Sequence, residues 1–199
     1  GKEFGFSFEN LTLDFPAAVK RSRQVSNRLV KGVEFLMKKN KITVHMGMAK
    51  LTAKDSVNVT DKDGKVTELK ANNIIVATGA SAAVPGAWKV DGEKVVTYLE
   101  AILQEKLPKS AVIIGAGAIG MEFATVWNAY GVEVTVVEML PHILPLEDEE
   151  AAAEVAKAYT KRGVKILAGH KVEAIEATKD GVRVTVSTTG ETKNFEAEQ

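Results

Sequence analysis

The feature that most restricts this chain is the hexapeptide Gly115-Ala116-Gly117-Ala118-Ile119-Gly120, which follows the apolar run Ala111 to Ile114 and opens a helical pattern from Ala118 to Tyr130. Its glycines stand at the spacing G-x-G-x-x-G, and each meets a separate physical demand. Gly115 permits a tight turn off a strand, Gly117 lets a pyrophosphate approach backbone N–H groups, and Gly120 allows helix and sheet to pack closely. A helix that starts here turns its unsatisfied N–H groups and the positive end of its dipole toward an anion, so Ala116, Ala118 and Ile119 contribute through their backbone.

Glycine spacing is weak evidence when it stands alone, because nucleotide-free domains such as flavodoxin-like folds also use glycine-rich turns. The surroundings strengthen it. Glu138 lies 23 residues after Gly115, at the end of a strand pattern from Val132 to Val137. A carboxylate there accepts the ribose hydroxyls of NAD and repels the 2′-phosphate of NADP, and no arginine follows it as NADP use would favour. Lys109 to Glu138 is therefore expected to form a Rossmann-type βαβ unit that binds NAD, with a surface acid as the plain alternative for Glu138.

The alternation continues with a helix from Glu147 to Arg162, closed by Gly163, and a strand from Val164 to Leu167. This order predicts an α/β fold with a Rossmann-type parallel sheet. Val172 to Ala177 and Val182 to Ser187, joined through Lys179-Asp180-Gly181, then predict a small antiparallel hairpin. The acid run Glu147 to Glu150 suits the first turn of a helix, where negative charge complements the dipole.

The first part of the chain has a different rhythm. After a polar, aromatic opening, Asp14-Phe15-Pro16 starts a helical pattern that runs to about Lys39, with Asn40 as its stop. The lysines and arginines on its outer face read as a solvated surface. Short β-type runs follow at Ile42 to His45, Val57 to Thr60 and Val66 to Leu69, the last two flanking the turn Asp61-Lys62-Asp63-Gly64. Ile74-Ile75-Val76 leads into Ala77-Thr78-Gly79, and the stretch Val84-Pro85-Gly86-Ala87 marks a crossover between domains 1–84 and 85–199.

Several function classes lose support. Acidic and basic residues balance at 26 each, so no net field draws the chain to nucleic acid or to an anionic membrane. No window reaches the roughly 18 apolar residues of a spanning helix, and the start lacks a signal-peptide core, which makes the cytoplasm the expected location. There is no cysteine, so disulfides, thiolate metal sites and thiol redox chemistry cannot reside in this chain. His45, His142 and His170 are too scattered for a metal site, and no serine occupies a nucleophile elbow.

With these motifs in place, the chain resembles the pyridine nucleotide-disulfide oxidoreductases along nearly its whole length. The most specific stretch is Val112 to Glu138, where Ile119-Gly120-Met121-Glu122 is similar to the family's I-G-x-E; Leu144-Pro145 through Glu149 resembles its L-P-x-x-D-x-E. The resemblance implies that Glu122 contacts the nicotinamide carboxamide and that Val172 lines the adenine pocket. It also implies an FAD-binding role for residues 1–84, with Ala49, Thr78, Gly79 and Ala80 beside that cofactor, though core packing or turn formation accounts for such residues as well.

The departures are as informative. The family's FAD-binding glycine motif, its redox-active C-x-x-x-x-C and its His-Glu acid-base pair have no counterpart here, which implies a portion of a longer enzyme. The expectation is an NAD(H)-binding portion of a flavin-dependent disulfide oxidoreductase that acts on a lipoyl-bearing protein or a small disulfide, homodimeric when intact. The chain as it stands is expected to bind NADH without turnover. A related NADH oxidase or coenzyme-A disulfide reductase, and a non-catalytic NAD-binding module, are the alternatives.

Overall fold

The computed structural model describes residues 5 and 7–199, so part of the polar, aromatic opening lies outside the described residues. Residues up to Lys20 together with Ala82–Gln199 form one compact unit, and Arg21–Ser81 form the other. Helix α1 (Phe15–Lys39) begins in the first and ends in the second. Its ends follow the sequence signals. The Ala17 N–H donates to Asp14 Oδ1 at 2.9 Å, and the Asn40 side-chain amide donates to the Leu36 carbonyl at 2.8 Å.

In the second unit β1 (Met48–Ala53), β2 (Ser56–Thr60) and β3 (Val66–Lys70) make an antiparallel sheet in that order. Asp61 Oδ1 closes the β2–β3 turn by accepting the N–H groups of Asp63 and Lys65. The expected strand at Ile42 to His45 does not form. Met48 already pairs with Thr60, the last residue of β2, so any earlier residue runs past the end of its partner. Ile74 to Val76 is likewise unpaired among the described residues, and Ile75 is 91% exposed. A strand needs a hydrogen-bonded neighbour, and none of the described strands pairs with these segments.

The first unit continues with α2 (Tyr98–Ala101), a single turn closed by a Thr97/Glu100 capping box. Then β4 (Ser110–Ile114), α3 (Ala118–Ala129), β5 (Glu133–Val137), α4 (Glu149–Lys161) and β6 (Lys165–Leu167) follow in strict alternation. The three strands are parallel in the order β4-β5-β6, with Val112 opposite Thr135 and Val136 opposite Ile166. α4 starts two residues later than its acid run, because Asp148 serves as N-cap and accepts the Ala151 N–H. Glu149 and Glu150 occupy the first turn as the dipole favours.

α3 lies against this sheet through Met121, Ala124 and Trp127, three buried residues at helical spacing that meet Ala111, Val134 and Val136. Ala124 has no exposed surface. A small side chain at that point lets the helix axis come close to the strands, so the start of α3 is fixed relative to the ends of β4 and β5.

The expected hairpin is the first two strands of a three-stranded antiparallel sheet, β7 (Lys171–Ala177), β8 (Val182–Thr188) and β9 (Glu191–Ala197). β9 escaped the sequence pattern because Glu-Thr-Lys-Asn-Phe-Glu-Ala is almost wholly polar, with Phe195 as its one large apolar residue. Val182, Val184 and Val186 alternate inward from β8 and pack with Val137, joining the two sheets of this unit through a second apolar cluster.

Trp127 carries the largest buried side chain of α3 and makes an edge-on contact with Phe123 at 5.7 Å. Trp127→Ala is expected to lower the unfolding free energy by about 3–5 kcal/mol. Urea titration followed by circular dichroism measures it, and an unchanged midpoint would remove Trp127 from the core.

Candidate dinucleotide-binding site

The glycine motif occupies the turn between β4 and α3, and the three glycines are there for three physical reasons. Gly115 has φ +99°, in the left-handed region that side chains avoid, and its N–H donates to the Val137 carbonyl at 2.8 Å. Gly120 has an ordinary conformation, but a Cβ there would sit 2.1 Å from the Gly115 carbonyl oxygen. Gly117 is constrained by neither effect. Its φ is −71°, and an added Cβ would meet nothing within 4 Å. The protein does not itself require a glycine at Gly117, and open space remains where a group approaching the backbone would sit.

Gly117 is also the N-cap of α3, with no side chain to satisfy the N–H groups of the first turn. Those donors and the helix dipole make this end of α3 suited to a phosphate group. Ala118 and Ile119 form the start of the helix and are exposed there. Ala116, by contrast, is fully buried.

Glu138 follows β5 directly and retains only 9% exposure. Its Oε2 accepts the Ala116 N–H at 2.8 Å and its Oε1 accepts the Leu140 N–H at 2.9 Å. Its backbone is anchored as well, its N–H donating to the Leu167 carbonyl and its carbonyl accepting from His170. The carboxylate is thereby tied to the glycine turn. With one N–H on each oxygen, about two of its four lone-pair sites stay available to hydroxyl donors.

The remaining residues divide by location. Glu122 is an exposed side chain on α3, one turn into the helix. Val172 is half-buried on β7 and packs in the cluster that includes Val137, adjacent to Glu138. Ala49 lies on β1, opposite Val59, and is exposed; Thr78, Gly79 and Ala80 are exposed residues outside helix and strand, Gly79 with φ +79°. These four belong to the second unit. No hydrogen bond joins Ala49 to Thr78, Gly79 or Ala80 among the described residues. No cluster of histidine and carboxylate suited to a metal ion occurs among the described residues.

Two residues contribute to the glycine turn in ways that sequence reasoning missed, Leu140 not being singled out and Leu144 entering only as the first residue of the L-P-x-x-D-x-E resemblance. Leu140 supplies a backbone N–H to Glu138, and Leu144 supplies one to the Ala116 carbonyl at 2.7 Å. Both act through the main chain, which leaves no side-chain signature. Leu144 also has φ +49°, whereas the residue before a proline favours extended backbone, so the sequence points away from the observed conformation.

A parallel β-α-β unit with an N–H-lined helix start and an acid after the second strand defines a nucleotide-binding α/β fold. The sequence pattern of the pyridine nucleotide-disulphide oxidoreductases matches residues 5–199, and the chain belongs to this family. The dihydrolipoyl dehydrogenase of Mycobacterium leprae is 45% identical over 202 residues, a match that covers 100% of this chain and 43% of that relative. The dihydrolipoyl dehydrogenase of Chlorobaculum parvum is 39% identical over 188 residues, covering 94% and 40%.

Solved structures agree. LpdA from Mycobacterium tuberculosis superposes with a TM-score of 0.87 at 26% identity, over 100% of this chain and 43% of that one. The HOCl-induced flavoprotein disulfide reductase RclA from Escherichia coli gives 0.76 at 27% identity, over 94% and 41%. The chain spans less than half the length of the relatives it matches.

The two glycines with ordinary φ separate binding from folding. Gly117→Ala is expected to change stability by at most about 1 kcal/mol, the usual scale of an N-cap change, and to weaken NADH binding at least about ten-fold. Gly120→Ala drives a methyl into a backbone oxygen and is expected to destabilise by about 1–3 kcal/mol. Thermal melting and NADH titration of both variants check this; equal NADH affinity in Gly117→Ala and the unsubstituted chain would count against the phosphate role.

Proposed function

We propose that this chain is the NAD(H)-binding portion, with part of the FAD-binding portion, of a dihydrolipoyl dehydrogenase. The intact enzyme converts dihydrolipoamide and NAD+ to lipoamide and NADH, and draws its dithiol from a lipoyl-bearing protein. The observation that carries the reading is the bond from the Ala116 N–H to Glu138 Oε2, which fixes a carboxylate beside the phosphate-binding turn.

That placement supports the following roles. The N–H groups at Gly117, Ala118 and Ile119, approached through the open space at Gly117 and shaped by the turn at Gly115 and the close packing at Gly120, hold the pyrophosphate. Glu138 accepts the ribose hydroxyls and repels a 2′-phosphate, since like charges brought together without an intervening cation are unfavourable. Val172 lines the adenine side, and Glu122, already exposed on α3, orients the nicotinamide carboxamide. Ala49, Thr78, Gly79 and Ala80 face FAD. The cofactors supply the hydride transfer between flavin and nicotinamide, and the protein contributes placement.

This chain has no cysteine, so the dithiol-disulfide step belongs to residues outside it, and it binds NADH without turnover. The domains are proposed as 1–84 for the FAD part and 85–199 for the NAD part. A homodimeric, cytoplasmic enzyme completes the proposal. The likeness to RclA favours a second reading, a flavoprotein disulfide reductase with another substrate. Identity of 45% with a dihydrolipoyl dehydrogenase favours the first.

Calorimetric titration with NADH, NADPH and FAD tests the proposal. NADH is expected to bind at least about ten-fold more tightly than NADPH, the worth of charge-assisted hydrogen bonds to Glu138. Glu138→Ala should lose most of that preference. Equal affinity of the unsubstituted chain for the two dinucleotides would overturn the role of Glu138.

A further inference from the structure

Among the described residues, three other than glycine have positive φ: Asn10, Lys41 and Leu144. Asparagine tolerates this region because its short polar side chain bonds locally. Lys41 follows the end of α1, where a left-handed residue is an ordinary way to close a helix. Leu144 has neither excuse. It is a branched apolar residue, it precedes Pro145, and it lies in the connection between β5 and α4, where nothing local favours φ +49°.

Such a conformation persists only where the surroundings over-determine it, and here they do. Ile143, 2% exposed, is buried in the main core, and the Leu144 side chain packs against the same cluster. On the far side the Leu144 carbonyl accepts the Glu147 N–H at 2.9 Å. Held between these points, the Leu144 N–H reaches the Ala116 carbonyl at 2.7 Å.

That bond acts on one peptide unit. No peptide among the described residues is cis, so the Ala116 C=O and the Gly117 N–H lie on opposite edges of a plane and point in opposite directions. Fixing the carbonyl toward Leu144 therefore fixes the Gly117 N–H away from it. The preceding peptide is fixed too, since the Ala116 N–H is held by Glu138 Oε2. Ala116 is clamped on both sides by the segment Glu138 to Leu144, and no protein acceptor among the described residues takes the Gly117 N–H.

We infer that Leu144 is a positioning residue for the dinucleotide: its left-handed backbone delivers the N–H that holds the Ala116 carbonyl and so orients the Gly117 N–H for phosphate. The inference rests on the dinucleotide reading of the site given above. Held by the core and by the Glu147 N–H, the β5–α4 connection orders the phosphate turn before the cofactor arrives, which lowers the ordering cost of binding.

Two substitutions in the full chain set the backbone against the side chain. Leu144→Gly keeps the N–H and relaxes the backbone but removes the apolar contact; Leu144→Ile keeps the apolar volume but opposes φ > 0, which a β-branched residue adopts only as an outlier. Fluorescence titration with NADH, alongside urea unfolding, should give Leu144→Gly an affinity within about two-fold of the unsubstituted chain despite a lower unfolding midpoint. Leu144→Ile should bind about ten-fold more weakly, the penalty for forcing the left-handed region.

The reverse ranking, or equal affinity in Leu144→Ile and the unsubstituted chain, would show that Leu144 acts through packing alone and overturn the inference. Should Leu144→Ile fail to fold, replacing the amide at Leu144 by an ester removes the N–H and keeps the side chain, at the cost of a weaker Ile143 carbonyl acceptor toward the His142 ring. The same ten-fold loss is expected there, and an undiminished affinity overturns the inference. Failure of the unsubstituted chain to bind NADH overturns the dinucleotide reading and this inference together, whereas binding that ignores Leu144 overturns only the latter.

Discussion

The Glu138 carboxylate, almost wholly buried, accepts one backbone N–H from the glycine turn and one from the residue two positions after itself. Burying a charge costs several kcal/mol unless hydrogen bonds compensate it. Here the compensation comes from main-chain donors, one of which, the Ala116 N–H, can be in place only if β4 and β5 are parallel neighbours in the observed register. Ile114 lies opposite Val137, so the turn after one strand meets the acid after the other. The two pieces of the candidate site thus stabilise each other, and one contact fixes the acid beside the glycine turn.

The two units differ in how far they bury their apolar residues. In the first, α3, α4 and the strands enclose a core in which Val134, Val136 and Ala124 are almost fully buried. In the second, Val59 is the one buried apolar residue among the described positions, while Leu29, Val33, Leu36 and Ile75 are each about half exposed or more. A folded unit gains stability roughly in proportion to the apolar area removed from water, so Arg21–Ser81 is much the less stabilised of the two. This contrast fits a chain that covers about four-tenths of its relatives' length.

Much of the fold was legible because its signals are local. Asp14 and Asn40 mark the ends of α1 through their own side chains, and the alternation of Val182, Val184 and Val186 marks a strand with one buried face. The Thr97-x-x-Glu100 box was a readable sign of α2 that the apolar pattern alone did not reveal, since one helical turn is too short to show a period. β9 was not legible, because a polar strand is specified by its neighbour: each of its residues is held by the β8 ladder rather than by its own propensity. Ile42 to His45 and Ile74 to Val76 show the converse. Their composition suits a strand, yet pairing decides, and among the described residues no partner runs beside them.

At the site the division follows the same physics. Gly115, Gly120 and Glu138 could be read from composition and spacing because each has a requirement that only its own residue type meets: a left-handed turn, a close approach of backbones, a negative charge. Leu140 and Leu144 could not, since they contribute through N–H groups that every residue but proline possesses. Their place was set by where the core holds Ile143 and by how β5 returns to α4. Residue chemistry sufficed to pick out the glycine turn and the acid that the structure brings together. How that turn is held in shape was left to packing, because a backbone donor acquires its meaning from position.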